Sequence, residues 1–150
     1  MDVPAVVVTW DPNWLHHFDV IAARIAGALP KDAAIEHVGS TSVEGLASKP
    51  IIDVDVVVPT AQAVGPVVEA LTRIGYTHRG NLGIQGREAF SVLPGLPYHH
   101  LYVVVAGSQP HRDHVDLRDY LRARPDEAER YAEVKRRLAY LLLIDREEYV

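Results

Sequence analysis

The chain has no cysteine. That excludes disulfide bridges, thiolate catalysis and zinc held by thiolates. It has no apolar run approaching the ~20 residues that span a bilayer. Its N-terminus lacks the basic start and apolar core of a signal peptide, so a cytoplasmic setting and no membrane partner are expected. An excess of positive charge is missing too: the formal net charge is −5. Broad nucleic-acid binding draws on a basic surface that releases counterions. None is expected here, although a local basic pocket stays open. What the chain does have is 150 residues, 48% hydrophobic and 23% charged. That is the composition of one globular domain, residues 1–150, with a core to bury.

The most informative stretch is 36–58. Ile51-Ile52-Asp53-Val54-Asp55-Val56-Val57-Val58 is rich in β-branched residues and ends at Pro59, which predicts a buried strand. Alternation puts Asp53 and Asp55 on one face of it. Two neighbouring carboxylates repel and are costly to bury, so at least one pKa is expected to rise unless a cation sits between them. Paired carboxylates on one face are also how proteins hold Mg²⁺ against a substrate phosphate. The plainer alternative is an edge strand with both aspartates in water. Just upstream, Gly39-Ser40-Thr41-Ser42 follows a short strand, Ala34–Val38. A glycine and hydroxyls at such a turn offer backbone N–H groups to phosphate, but they are also ordinary turn chemistry.

The remaining elements follow from periodicity. Ala5–Thr9 reads as an edge strand. Asp11-Pro12 starts a helix whose buried stripe is Trp14, Phe18, Ile21, Ile25 and Leu29, stopped by Pro30. Beside it, His16 and His17 read as solvated. Thr60 caps a second helix carrying Val64, Val67, Val68, Leu71 and Ile74, kinked by Gly65-Pro66 and ended by Gly75. Residues 76–87 are glycine-rich and irregular. Glu88–Leu93 and Tyr98–Ala106 read as strands, and Asp113–Ala123 and Asp126–Leu142 as helices. The order is α/β (α+β), with helices packed against a small mixed sheet.

Cations complete a candidate phosphate site. Lys49 precedes the aspartate strand. Arg87 lies at the end of the glycine-rich stretch, where a loop folding over a ligand is expected, and Arg118 lies on a helix. The guanidinium fork suits phosphate oxygens. Arg122 shares a helix face with Arg118 but reads as a surface ion pair. His111 and His114 read as the exposed start of a helix, without a recognised zinc spacing. His100 is expected on the sheet, facing the aspartates.

Glu36-His37-Val38-Gly39-Ser40-Thr41-Ser42-Val43-Glu44-Gly45-Leu46, with Lys49-Pro50-Ile51-Ile52-Asp53, closely resembles the signature of the GrpB family. So do Leu117–Arg122 and Tyr131–Lys135. That family in turn resembles the nucleotidyltransferase superfamily of DNA polymerase beta. The resemblance implies a minimal nucleotidyltransferase fold. It implies a metal-dependent transfer of a nucleoside monophosphate from a nucleoside triphosphate to a small-molecule acceptor. Asp53 and Asp55 would then be catalytic and hold Mg²⁺ or Mn²⁺. Gly39, Ser40, Thr41, Lys49, Arg87 and Arg118 would hold phosphates. One departure stands out. The superfamily's third carboxylate comes from a later strand, where this chain has His100-Leu101-Tyr102, so His100 takes that place among the metal ligands and favours Mn²⁺. Two alternatives stay open: a phosphate-ligand binding module without chemistry, and a structural partner domain, since family members occur fused to an enzyme.

Overall fold

A computed structural model describes residues 3, 4 and 6–148. Its four strands are β1 (Ala34–Val38), β2 (Ile52–Val58), β3 (Arg87–Phe90) and β4 (His99–Val105). They form one open sheet in the order β1-β2-β4-β3. The β2–β4 pair is parallel, and the β1–β2 and β3–β4 pairs are antiparallel. The helices are α1 (Asn13–Ala26), α2 (Val64–Arg73), α3 (Gln109–Ala123) and α4 (Pro125–Glu148). The fold is α+β, with a mixed sheet and helices against it.

Alternation splits the sheet into two unlike faces. Ile52, Val54, Val56 and Val58 of β2, with Leu101 and Val103 of β4, join the main core. Trp14, Ile21 and Ile25 of α1 and Val67 and Leu71 of α2 cover them. Ile21, Ile25, Val54 and Leu71 are fully buried; each such side chain contributes roughly 1.5–3 kcal/mol through lost water contact. The opposite face carries Glu36, Asp53, Asp55, His100 and Tyr102, brought side by side by the register Glu36–Asp55, Asp53–His100 and Asp55–Tyr102. A second, smaller core of Val43, Leu46, Ala47, Leu121, Ala128 and Ala132 anchors α3 and α4 to the segment leading into β2. Among the described residues no helix is long and apolar enough to cross a membrane.

Several local expectations change. Ala5 lies outside the described residues. The N-terminal edge strand reduces to a single bridge, Val8 to Ser48. Asp11 accepts the Asn13 N–H through its carboxylate at 2.9 Å, but Pro12, just ahead of the first helical residue, holds the cap position expected of Asp11. Pro66 does not kink α2. It sits in the first turn, whose N–H groups have no partner within the helix anyway. Nor does the Thr60 side chain cap that helix; its backbone carbonyl starts the short 3₁₀ turn Ala61–Ala63. Gly75 ends α2 with φ of 117°, as a helix terminus favours. β3 begins one residue early and ends at Phe90. α3 begins one turn early because Pro110 fits its first turn.

Candidate phosphate and metal site

The site begins at the turn between β1 and the segment leading to β2. Gly39 has φ of 74° and ψ of −177°, a conformation open only to glycine. There is a second reason for glycine. A β-carbon there would stand 2.1 Å from Asp53 Oδ2. The space at Gly39 is therefore filled by the Asp53 carboxylate of the neighbouring strand. The glycine sets how closely turn and carboxylate meet.

The turn is held from several sides. Ser42 donates through its hydroxyl to the Gly39 carbonyl at 2.6 Å. Thr41 is buried, and its hydroxyl donates to the Ile51 carbonyl at 3.2 Å. That leaves the Thr41 oxygen to accept from His37 Nε2–H at 2.9 Å. Burial holds the His37 pKa down at about 4, which keeps the ring neutral, stacked on Phe18 at 4.8 Å. From α3, Arg118 donates to the His37 carbonyl at 3.1 Å, and Arg122 donates twice to the Ser42 carbonyl, at 3.1 and 2.8 Å. Arg122 is thus no surface ion pair; it clamps the turn's backbone. From α4, Lys135 reaches Ser40 Oγ at 2.5 Å.

Each aspartate has a histidine. Asp53 Oδ1 lies 3.1 Å from His100 Nδ1, on the adjacent strand as expected. Asp55 is fully buried, and its Oδ2 accepts from His114 Nδ1 at 2.7 Å. Burial pushes the Asp55 pKa up, against the hydrogen bond from His114; repulsion from Asp53 is a smaller contribution. The expected rise is present, but burial is its main cause. The hydrogen bond to Asp55 raises the His114 pKa. The other carboxylate oxygen, Asp55 Oδ1, is buried and has no partner among the described residues. His114 is therefore not on an exposed helix start. With His111 and Arg118, spaced i, i+3 and i+7, it forms a polar face of α3 turned onto the sheet. His111 and Arg118 approach Glu36 at 3.6 and 3.8 Å.

Two cavities meet at the turn, and Ser40, Asp53 and Lys135 line both. One, of about 180 Å³, runs between Gly39, His114, Arg118 and Tyr131. The other, of about 250 Å³, runs between Lys49, Ile51, His100 and Leu138. The structure thus gathers Gly39, Ser40, Asp53, His100, Lys49 and Arg118 around one place. Thr41 stands behind the turn with its hydroxyl engaged. Arg87 stands apart. It opens β3, and its guanidinium stacks on Tyr102 at 4.7 Å instead of folding over a ligand from a loop. Lys135, Glu36 and His114 were not picked out as site residues from sequence. The shared helix face with Arg118 was the available signal for His114; Glu36 and Lys135 lay inside the family-like blocks, and tertiary placement brings them to the site.

Over residues 4–150 the chain matches a known family model, described as GrpB protein. The chain belongs to the GrpB family. This GrpB chain is 36% identical to YqkA of Bacillus subtilis over 134 residues, which is 89% of the chain and 39% of YqkA. It therefore spans well under half of that relative. The crystal structure of the conserved protein GrpB from Enterococcus faecalis is similar with a TM-score of 0.79 at 33% identity, covering 91% of this chain and 84% of that one. A more distant fold neighbour is the Cid1 poly(U) polymerase solved with MgGTP bound. It has a TM-score of 0.54 at 14% identity, covering 77% of this chain and 39% of the polymerase. The likeness to Cid1 is one of fold.

Asp53 and Asp55 share a face, and Asp55 Oδ1 is a buried carboxylate oxygen with no partner among the described residues, the kind of atom that a divalent cation satisfies. Among the described residues no group of three His, Asp or Glu side chains is arranged to hold a metal by itself. The residues fit a hard cation that brings oxygen ligands from a bound phosphate and water. They do not make a self-sufficient cage.

Proposed function

We propose that this GrpB chain binds a nucleoside triphosphate with a divalent cation and transfers its nucleoside monophosphate to a small-molecule acceptor. The observation that carries the reading is the convergence of the Gly39–Ser40 turn, the Asp53 carboxylate and the Lys135 ammonium. A fixed turn, an oxygen ligand for a cation and a positive charge held between Ser40 and the Tyr131 ring meet at one point. A neighbour of the same fold binds MgGTP, which supports the reading.

Roles follow from placement. Ser40 and the backbone of its turn hold phosphate oxygens. Lys135, released from Ser40, offsets their charge. Arg118 lines the same cavity while gripping the His37 carbonyl, so it positions the turn and adds positive potential. Thr41 and Arg122 keep the turn rigid. Asp53 and Asp55 hold Mg²⁺ or Mn²⁺, and His100 orients Asp53. The cation supplies charge neutralisation between phosphates. Arg87 acts at a distance, through Tyr102. Catalysis on such a site is mainly positioning and electrostatics.

A second reading, a binding module without chemistry, is favoured by Asp55 being fully buried against His114. A thermal-shift panel of nucleoside triphosphates with Mg²⁺, Mn²⁺ or chelator tests both. Either reading expects a metal-dependent shift, since a ligand at a hundredfold excess over its Kd stabilises by about 2.7 kcal/mol. Pyrophosphate release on adding pooled small-molecule metabolites then selects the transferase. No shift with any triphosphate refutes both.

A further inference from the structure

The larger cavity carries a statement about the acceptor. In-line transfer places the attacking oxygen and the departing pyrophosphate on opposite sides of the reacting phosphorus. Asp53 lines both cavities, and beyond the shared Ser40, Asp53 and Lys135 their linings differ. The smaller one is ringed by Gly39, Arg118 and His114 and suits phosphates. The larger one has a different chemistry. Its wall is Val7, Ile51 and Leu138, and Lys49 and Lys135 bring its positive charges. Leu138 is 55% exposed at its mouth, an apolar surface that a bound molecule would cover. Among the described residues no Phe, Tyr or Trp lines it, and its aromatic ring, His100, is engaged with Asp53 at 3.1 Å. The volume of about 250 Å³ admits a small organic molecule and falls short of the roughly 300–1,000 Å³ that encloses a drug-sized ligand.

We infer that the cavity between Ile51, Leu138 and Lys49 is the acceptor subsite, and that the acceptor is a small amphipathic anion. An apolar body lies on Ile51 and Leu138, an anionic group meets Lys49, and a hydroxyl points to Asp53. This rests on the transferase reading above. The step balances as follows. The acceptor's hydroxyl oxygen bonds to the α-phosphorus, and the bond from that phosphorus to the bridging oxygen breaks. Pyrophosphate leaves with the electron pair, and the hydroxyl proton passes to water. Lys49 is exposed; its carbonyl accepts from the Ile51 N–H at 2.8 Å, but its ammonium pairs with no described residue and is available to the ligand.

The test uses the full chain and three probes of one length: 6-hydroxyhexanoate, 1-hexanol and 6-aminohexan-1-ol. Binding is read without nucleotide from the methyl NMR signals of Ile51 and Leu138. The hydroxy acid is expected to shift both signals and to bind at least about tenfold more tightly than the amine. Lys49→Ala and Leu138→Glu, both at exposed positions, are expected to weaken it by at least about tenfold. Equal binding of the acid and the amine, or acid binding that neither variant changes, overturns the proposal. MgATP titration separates it from the reading it rests on. If wild type does not bind MgATP, the transferase reading fails, and the acceptor assignment fails with it even if the cavity binds the acid. If Leu138→Glu loses MgATP as strongly as it loses the acid, the cavity belongs to the nucleoside and the acceptor assignment fails alone.

Discussion

Replacing Gly39 by alanine perturbs the point where turn and carboxylate meet. Two costs add. The φ of 74° with ψ of −177° is a glycine-only conformation, which costs an L-residue about 1–3 kcal/mol. The new β-carbon would also stand 2.1 Å from Asp53 Oδ2, 2.9 Å from its Cγ and 3.0 Å from its Cβ. Relieving that overlap in a packed site costs about 1–3 kcal/mol more. Gly39→Ala should therefore lose about 2–6 kcal/mol in urea unfolding, a large share of a typical ~5–15 kcal/mol. A double-mutant cycle separates the two costs. Asp53→Ala removes the carboxylate but leaves the backbone strain. The double variant should be more stable than the sum of the single losses by about 1 kcal/mol or more. A Gly39→Ala loss under about 0.5 kcal/mol, or strict additivity with Asp53→Ala, refutes the claim that the carboxylate fills the place of a side chain.

Acid should destabilise the chain through His37. Its folded pKa of about 4 lies below the ordinary 6.5, so the unfolded chain takes the proton first. Stability is unaffected above 6.5, falls as pH drops from 6.5 to about 4, and levels off below, with a loss of about 3 kcal/mol from this residue. Urea unfolding across that range checks it, and His37→Gln should flatten the fall. His99, also depressed by burial, acts in the same direction, while His114 and Asp55, whose pKa values are raised, act in the opposite one. His114→Ala should cost about 2 kcal/mol or more at neutral pH, because it strips a fully buried carboxylate of its partner. The loss should shrink under mild acid as Asp55 takes up a proton, and Asp55→Asn in the same background should restore stability.

The sequence was most readable where local pattern and packing agree. The Asp53–Asp55 strand, the α1 stripe from Trp14 to Ile25 and Gly39 are all set by alternation, helical period or backbone conformation, and each was recognised; α1 ends at Ala26, before the expected Leu29 and Pro30. The fold class followed from element order and from the family resemblance. The site was readable in part. His100 was placed opposite Asp53 because adjacent strands put residues side by side. The face of α3 was missed because it meets the sheet through His111, His114 and Arg118. A polar helix face carries no hydrophobic signal to mark it as inward. Lys135 contacts Ser40 across 95 residues of sequence, and nothing local announces such a contact. The β1–β2 register brings Glu36 to the site by setting it opposite Asp55. Arg87 was assigned to a closing loop because glycines surround it. In the fold it belongs to β3, where stacking on Tyr102 fixes it.

The central claim is that the Gly39–Ser40 turn, Asp53 and Lys135 form one metal-nucleotide site. Calorimetric titration of MgATP and MgGTP into wild type, Asp53→Asn and Lys135→Ala tests it most directly. Wild type should bind at least one of them, lose that binding when Mg²⁺ is chelated, and bind Mg²⁺ only weakly without nucleotide. Both variants should stay folded and bind at least about tenfold more weakly. Nucleotide binding that survives chelation and both substitutions, or tight Mg²⁺ binding without nucleotide, would contradict the account.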